Sequence, residues 1–185
     1  MENDRLIGAK IGAYLIQSKL GEGGMAQVYK AYHDRLRRDV AIKVILPQIA
    51  DQTGFRERFE REAQLVASLE HRNIVAVYDF GETPDGNLTY LVMQYVGGGT
   101  LRDLLRRKGR IEPHKAVLYA IQMARALHHA HQRGIVHRDV KPQNMLITSS
   151  DSNEILLSDF GIAKIFDSSS QETMLPPTAG SIRHD

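Results

Sequence analysis

The chain has 185 residues, 42% hydrophobic and 25% charged, the balance of an ordinary soluble globular protein long enough to bury a core. A net charge of +2 is too small to argue for nucleic acid or an anionic membrane as partner, and the basic runs Arg37-Arg38 and Arg106-Arg107-Lys108 are split by apolar or acidic residues and read as solvated faces. Cysteine is absent, which removes disulfides and thiolate metal sites and fits a reducing cytoplasm; no signal peptide is visible, and no stretch approaches the roughly 20 apolar residues of a membrane span.

After an N-terminal extension (1–10), residues 11–20 and 25–33 alternate apolar and polar on either side of glycines, which predicts a hairpin. A β-branched run over 40–46, stopped by Pro47, predicts a third strand. Phe55, Phe59, Ala63, Val66 and Leu69 recur every three or four residues and predict a helix over 54–70. Glu62 borders its buried face, placed to reach a partner inward. Two more strands, 74–80 and 88–96, flank the turn Pro84-Asp85-Gly86-Asn87. Five strands and one helix make a small α+β lobe over 11–96. Gly97-Gly98-Gly99 suits neither strand nor helix and marks a hinge. Helices follow over 101–108 and 113–133, the second with Pro113 in its first turn and Gly134 past its end. Residues 168–177 are polar and proline-containing and read as a mobile loop. No internal repeat is found.

Four pieces carry chemistry. Gly21-Glu22-Gly23-Gly24 lies between two strands, where glycines let backbone amides approach phosphate oxygens. A dinucleotide-binding turn is the rival reading, but it needs a helix afterwards and 25–32 reads as strand. Lys43 ends Val40-Ala41-Ile42-Lys43, a buried-looking run in which an unpaired lysine is costly; taken alone it would be an edge lysine reaching solvent. With Glu62 and a phosphate as partners, a functional lysine fits better. His137-Arg138-Asp139-Val140-Lys141-Pro142-Gln143-Asn144 places a base, cations and an oxygen ligand in one loop, and Asp159-Phe160-Gly161 adds a second ligand. Any one of these acids alone is more simply a turn residue; the full string in this order is not a chance collection. His128, His129 and His131 have spacing that suits a metal, but they fit better as complements to a helix C-terminus or as packing residues.

These motifs resemble the protein kinases, and among them bacterial receptor-like serine/threonine kinases, from about Ile11 to the last residue. The resemblance implies an α+β, two-lobed kinase-like fold: a complete five-stranded N-lobe plus one helix (11–96, ATP-binding) and an incomplete, mostly helical C-lobe (97–185). It further implies a catalytic set of Asp139, Lys141, Lys43 and Glu62, with Asp139 accepting or orienting the substrate proton and Lys43 holding the α- and β-phosphates under the control of Glu62. The nucleotide would lie among Leu20, Gly21, Glu22, Gly23, Gly24, Val28, Ala41, Lys43, Met93, Gln94, Val96 and Leu146, with the backbone of Gln94 and Val96 on the adenine edge and Met93 guarding the pocket's depth. Asn144 and Asp159 would hold Mg²⁺, with Mn²⁺ able to stand in. Lys141-Pro142 implies the serine/threonine subclass. Arg138 implies an activation loop switched by phosphate at Thr178, Thr173, Ser168, Ser169 or Ser170, with Thr178 first.

Ala26 stands where the family has its third glycine, and Ser181 where it usually has threonine. The family continues past this point through an Ala-Pro-Glu segment and further helices, so the resemblance implies a C-terminally truncated catalytic domain. Leu118, Ile121 and Leu127 would then leave an exposed apolar patch open to self-association. The expected activity is transfer of the γ-phosphate of Mg-ATP to a serine or threonine of a protein substrate, in the cytoplasm, with the parent protein free to be membrane-anchored by a further segment. Two alternatives stand beside it: a catalytically poor ATP-binding module that docks on a partner, and, more weakly, a degraded catalytic core. Retention of Asp139, which binding alone does not need, favours the enzyme.

Overall fold

A computed structural model describes residues 4–149 and 152–160. The first part contains β1 (Lys10–Ile11), β2 (Tyr14–Glu22), β3 (Ala26–His33), β4 (Arg38–Ile45), α1 (Pro47–Ala50), α2 (Phe55–Ala67), β5 (Val77–Glu82) and β6 (Thr89–Gln94). All six strands join one antiparallel sheet in the order β1-β2-β3-β4-β6-β5. The sequence predicted five strands and one helix. The additions are short: β1 pairs only Lys10 with Leu15 and Ile11 with Tyr14, and α1 is one turn begun by Pro47.

Both faces of the sheet are covered. Val40, Ile42 and Val44 pack with Tyr29, Ala31 and Val92 on one side, while Ala41 and Ile45 pack with Phe55, Phe59 and Ala63 of α2 on the other. That is why β4 reads as a nearly unbroken apolar run. The two-residue period also puts Lys43 on the same face as Ala41 and Ile45, toward α2. Phe55 and Phe59 stack at 5.7 Å, and Phe59 meets Phe80 edge-on at 6.3 Å. Burying each ring stabilises the fold by about 1.5–3 kcal/mol. Glu62 is carried by that helix into a buried position.

After the three glycines come α3 (Leu101–Lys108), α4 (Pro113–His131), a 3-10 turn (Pro142–Asn144) and a two-stranded antiparallel sheet of β7 (Met145–Ile147) and β8 (Ile155–Leu157). A reciprocal cap starts α3: Thr100 accepts from the Asp103 amide, and Asp103 accepts from the Thr100 amide. The Glu112 carboxylate caps α4 by accepting from His114 and Lys115. Tyr119, Met123, Ala126 and Ala130 form the buried face of α4, and Gly134, at φ 73°, ends the helical run. Leu127 packs against this core, so the apolar patch expected from Leu118, Ile121 and Leu127 is reduced. Ile121, at 41% exposed, and Val117, at 57%, form the stripe that remains on the far face. His128 and His131 are exposed, while the His129 ring lies 5.1 Å from that of His71. Among the described residues no cluster is suited to a metal by three or more His, Cys, Asp or Glu.

One strand starts later than predicted. Ile74 and Val75 do not extend β5; they turn to the small sheet, where Val75 N–H donates to the Leu157 carbonyl (3.0 Å) and Leu157 N–H to that of Asn73 (2.9 Å). The Asn73 side chain adds donations to Gln122 Oε1 and to the Ile155 carbonyl. This segment ties the large sheet to α4 and β8.

The glycine linker is packed rather than loose. Ile147 N–H donates to the Gly99 carbonyl at 2.9 Å, and Gly99 takes φ 82°. A Cβ on Gly98 would run into the Ile147 carbonyl and stand 2.8 Å from the Ser149 nitrogen, whereas one on Gly97 would meet only the Tyr95 ring at 3.5 Å. Gly98→Ala is therefore expected to destabilise the chain by about 1–3 kcal/mol, the usual cost of overpacking, and Gly97→Ala by clearly less. Urea unfolding of the two variants side by side checks this; equal midpoints would contradict it.

Candidate functional site

The loop 137–144 is built around one buried imidazole. His137 is 1% exposed; its Nε2–H donates to the Ser158 carbonyl at 2.7 Å, and its Nδ1 accepts from the Asp139 amide at 3.2 Å. A carbonyl can only accept and an amide can only donate, so these two bonds specify the neutral Nε2–H form. Burial pushes its pKa below the ordinary 6.5, outweighing the carbonyl of Ser158 and the nearby carboxylates. The Phe160 ring closes over it, edge-on at 4.6 Å. Ser158 then fastens the two motifs together: its N–H and Oγ both donate to the Asn144 carbonyl, at 2.8 and 3.1 Å. Arg138 and Asp159 both take φ 65°, a left-handed conformation costing a non-glycine residue on the order of 1–3 kcal/mol. This web of bonds holds them in it.

Neutral in the fold and more basic when unfolded, His137 opposes folding as the medium is acidified. Stability from this group is complete above about pH 6.5, where both states are neutral, and falls as the pH drops toward the lowered folded value. His137→Phe is expected to cost about 1–3 kcal/mol at neutral pH through the lost bond to Ser158, and to flatten part of the acid slope. Urea titrations on both sides of pH 6.5 measure both effects; an unchanged acid slope would contradict the assignment.

Around this core stand two carboxylates, each met by a lysine. Asp139 Oδ2 accepts from Lys141 Nζ at 2.6 Å and from Asn144 Nδ2 at 3.0 Å. Asn144 Nδ2 also donates to the Asp139 carbonyl at 2.8 Å. Among the described residues, Asp139 Oδ1 accepts no bond and stays open. The Lys141 ammonium holds this carboxyl below its ordinary range, with Asn144 assisting against burial. Asp159 Oδ1 is 2.7 Å from Lys43 Nζ. Burial works to raise that carboxyl, and the charge and hydrogen bond of Lys43 override it, so it too lies low. Both acids are ionised at neutral pH. Among the described residues Asp159 is the ion-pair partner of Lys43; Glu62, expected in that role, lies on the buried face of α2.

Both carboxylates line one cleft of about 860 Å³. Its other walls are the glycine-rich turn from Leu20 to Gly24, then Val28, Ala41 and Lys43 of the large sheet, Met93 to Val96 at the end of β6, and Leu146 below. Every expected nucleotide contact, both expected metal ligands, and Lys43, Asp139 and Lys141 thus reach the same space. Glu62, buried on α2, is not among the residues that line it. The Gln94 N–H donates to the Ala76 carbonyl at 2.9 Å, so a backbone hydrogen bond between Gln94 and a ligand has to use the carbonyl. A Cβ on Gly21 or Gly24 would meet no atom within 4 Å, so the space those side chains leave free opens outward rather than being filled by the protein. Met25, Tyr95, Thr100, Asp103, Gln143 and Ser158 also line the cleft and were not foreseen. Thr100-x-x-Asp103 was legible as a capping box after the glycines; Ser158 carried no signal beyond its place before Asp159. The phosphorylation candidates Thr178, Thr173, Ser168, Ser169 and Ser170 lie outside the described residues.

The sequence matches the protein kinase domain family over residues 14–180. The chain belongs to the protein kinase family. The serine/threonine-protein kinase PknB of Mycolicibacterium smegmatis is 48% identical over 153 residues, covering 82% of this chain and 24% of that protein. The kinase domain of Mycobacterium tuberculosis PknI superposes with a TM-score of 0.70 at 37% identity, covering 84% of this chain and 62% of that one. Rad53 (residues 1–466), solved in complex with AMP-PNP, matches at a TM-score of 0.71 and 30% identity over 81% of this chain and 38% of that one. The fold is therefore that of a two-lobed kinase, and the sequence is similar to those of bacterial serine/threonine-protein kinases. The chain spans about a quarter of the length of the curated relatives it matches. No described helix of this kinase-family chain is long and apolar enough to cross a membrane.

Proposed function

We propose that this chain binds ATP in the cleft and transfers its γ-phosphate to a serine or threonine hydroxyl of a protein. The observation that carries this reading is the pairing of the open Asp139 Oδ1 with a glycine-lined wall across one cleft. The AMP-PNP held by Rad53 supports ATP as the nucleotide. Val28 and Ala41 cover one face of the adenine and Leu146 the other; the Gln94 carbonyl and Val96 backbone meet its edge, and Met93 limits its depth. The turn amides from Gly21 to Gly24 and the Lys43 ammonium meet the phosphates, with Glu62 behind Lys43. We assign residues 11–96 to the ATP-binding lobe and 97–185 to the catalytic lobe.

Asn144 and Asp159 offer the hard oxygens that suit Mg²⁺ or Mn²⁺, and the ion pair with Lys43 keeps Asp159 ionised for that purpose. A bound metal supplies charge neutralisation on the phosphate oxygens. Lys141 fixes Asp139 and adds positive charge where the γ-phosphoryl group is transferred. Asp139 Oδ1 accepts the hydroxyl proton as that oxygen bonds to phosphorus and the bond to the β-phosphate oxygen breaks, its electron pair leaving with ADP. Lys141-Pro142 supports serine or threonine over tyrosine.

The test is acid hydrolysis of a generic basic protein after incubation with γ-labelled ATP. Labelled phosphoserine or phosphothreonine is expected, with labelling stopped by chelation of the metal. Label in phosphotyrosine alone would overturn the subclass.

A further inference from the structure

Five polar side chains close a ring across the base of the hairpin that carries the glycine-rich turn, and only one of them comes from outside that hairpin. Tyr29 on β3 is fully buried, and its hydroxyl reaches both carboxylate oxygens of Asp4, at 2.8 and 3.0 Å. The same hydroxyl lies 2.7 Å from Gln27 Oε1. The Gln27 side chain faces Glu22, its register partner across the turn, and helps Lys19 hold that carboxyl below its ordinary range. Glu22 accepts from Lys19 at 2.6 Å, and Lys19 stands 3.5 Å from Asp4, which completes the circuit. Asp4 and Lys19 are 20% and 28% exposed, so their charges are partly shielded from water. Burial, reinforced by Asp4, pushes the Tyr29 hydroxyl upward, so it stays a proton donor at all working pH values.

The segment before β1 is seated to deliver this carboxylate. Leu6 packs under the sheet, Gly8 N–H donates to the Ile16 carbonyl at 2.9 Å, and Ile16 N–H donates to that of Ala9 at 3.0 Å. The hairpin benefits from an outside clasp because its own ladder is irregular here: the β2–β3 register shifts between Ile16 and Ser18 and again between Lys19 and Gly21. Beyond the second shift lie Gly21, Glu22, Gly23 and Gly24, which line the cleft.

We infer that Asp4 is a positioning residue for the glycine-rich turn, acting through Tyr29 and Lys19 to hold the hairpin base and, with it, the turn amides that would meet a nucleotide's phosphates. The nucleotide half of this inference rests on the ATP reading above; the clasp itself does not. Asp4→Asn is a clean probe, because Asn keeps an acceptor for Tyr29 and Gln27 still offers another, so the buried hydroxyl is not orphaned. What it removes is the charge facing Lys19.

The test uses the full chain and Asp4→Asn and Asp4→Glu variants, first by hydrogen exchange without nucleotide. Amides 20–26 of Asp4→Asn are expected to exchange roughly three- to fivefold faster, the scale of one partly shielded ion pair, with those of β4 and α4 unchanged. Asp4→Glu, which keeps the charge, is expected to recover part of the protection. The second readout is binding of a fluorescent ATP analogue with magnesium, expected to weaken by a similar factor while kcat changes little. Unchanged exchange at 20–26, or an equal rise throughout the chain, would overturn the clasp. Failure of the wild type to bind ATP would instead overturn the ATP reading, with the exchange result still deciding the clasp.

Discussion

Asp139→Asn is expected to lower phosphate transfer by on the order of 10²–10⁴-fold while leaving ATP binding nearly unchanged. The reason lies in how the carboxylate is held. One oxygen is saturated by Lys141 and Asn144, both donors, and the other accepts no bond from the described residues. An asparagine in that place turns its carbonyl oxygen to the two donors, which leaves its NH₂ facing the incoming hydroxyl. That group donates and has no capacity to take a proton at neutral pH. The glycine-rich turn, Lys43 and the adenine walls are untouched, so nucleotide affinity has no cause to change. Initial rates and a nucleotide titration on the same preparation check both halves. Turnover at the wild-type rate would refute the role given to Asp139.

Lys43→Met is the second large effect. Methionine fills a similar volume on the cleft face of β4 without the charge, so the surrounding packing of Ala41 and Ile45 is kept. Two things are lost together: the cation proposed for the phosphates and the partner of Asp159 at 2.7 Å. A charge that stabilises the transition state inside a shielded site is worth roughly 10²–10³ in rate, and kcat is expected to fall by that amount with a smaller change in KM. Stability bears on this as well. The wild-type Asp159 carboxyl is held low, so its contribution is present above its unfolded value and lost as the pH falls through the folded one. Without Lys43 that contribution disappears at neutral pH, and the urea midpoint should drop modestly. A variant with both kcat and midpoint at wild-type values would contradict the pairing.

Much of the site was legible because its residues are close in sequence and share a local reason. Asp139, Lys141 and Asn144 fall within six residues and are brought together by one loop, and the glycine-rich turn lies between two strands of period two. The apolar stripe of Phe55, Phe59, Ala63 and Val66 located α2 to within a few residues. What escaped depends on contacts distant in the chain. Ile74 and Val75 look like the start of a strand, but backbone bonds to Leu157 draw them away, so β5 begins at Val77. The ion pair of Lys43 with Asp159 is of the same kind: the two lie 116 residues apart, and periodicity cannot show that they meet. Leu127 looked exposed because the sequence does not show how far its core extends, and it packs there with Tyr119 and Met123. Asp4 gave no signal at all, since a lone acid before the first strand is indistinguishable from a solvated one.

The measurement that bears most directly on the whole account is transfer of label from γ-labelled Mg-ATP to a generic basic protein and to the chain itself, with Asp139→Asn beside the wild type. The account predicts labelling by the wild type and its loss in the variant. Bound ATP with no transfer by the wild type would contradict it and leave a nucleotide-binding module with kinase ancestry.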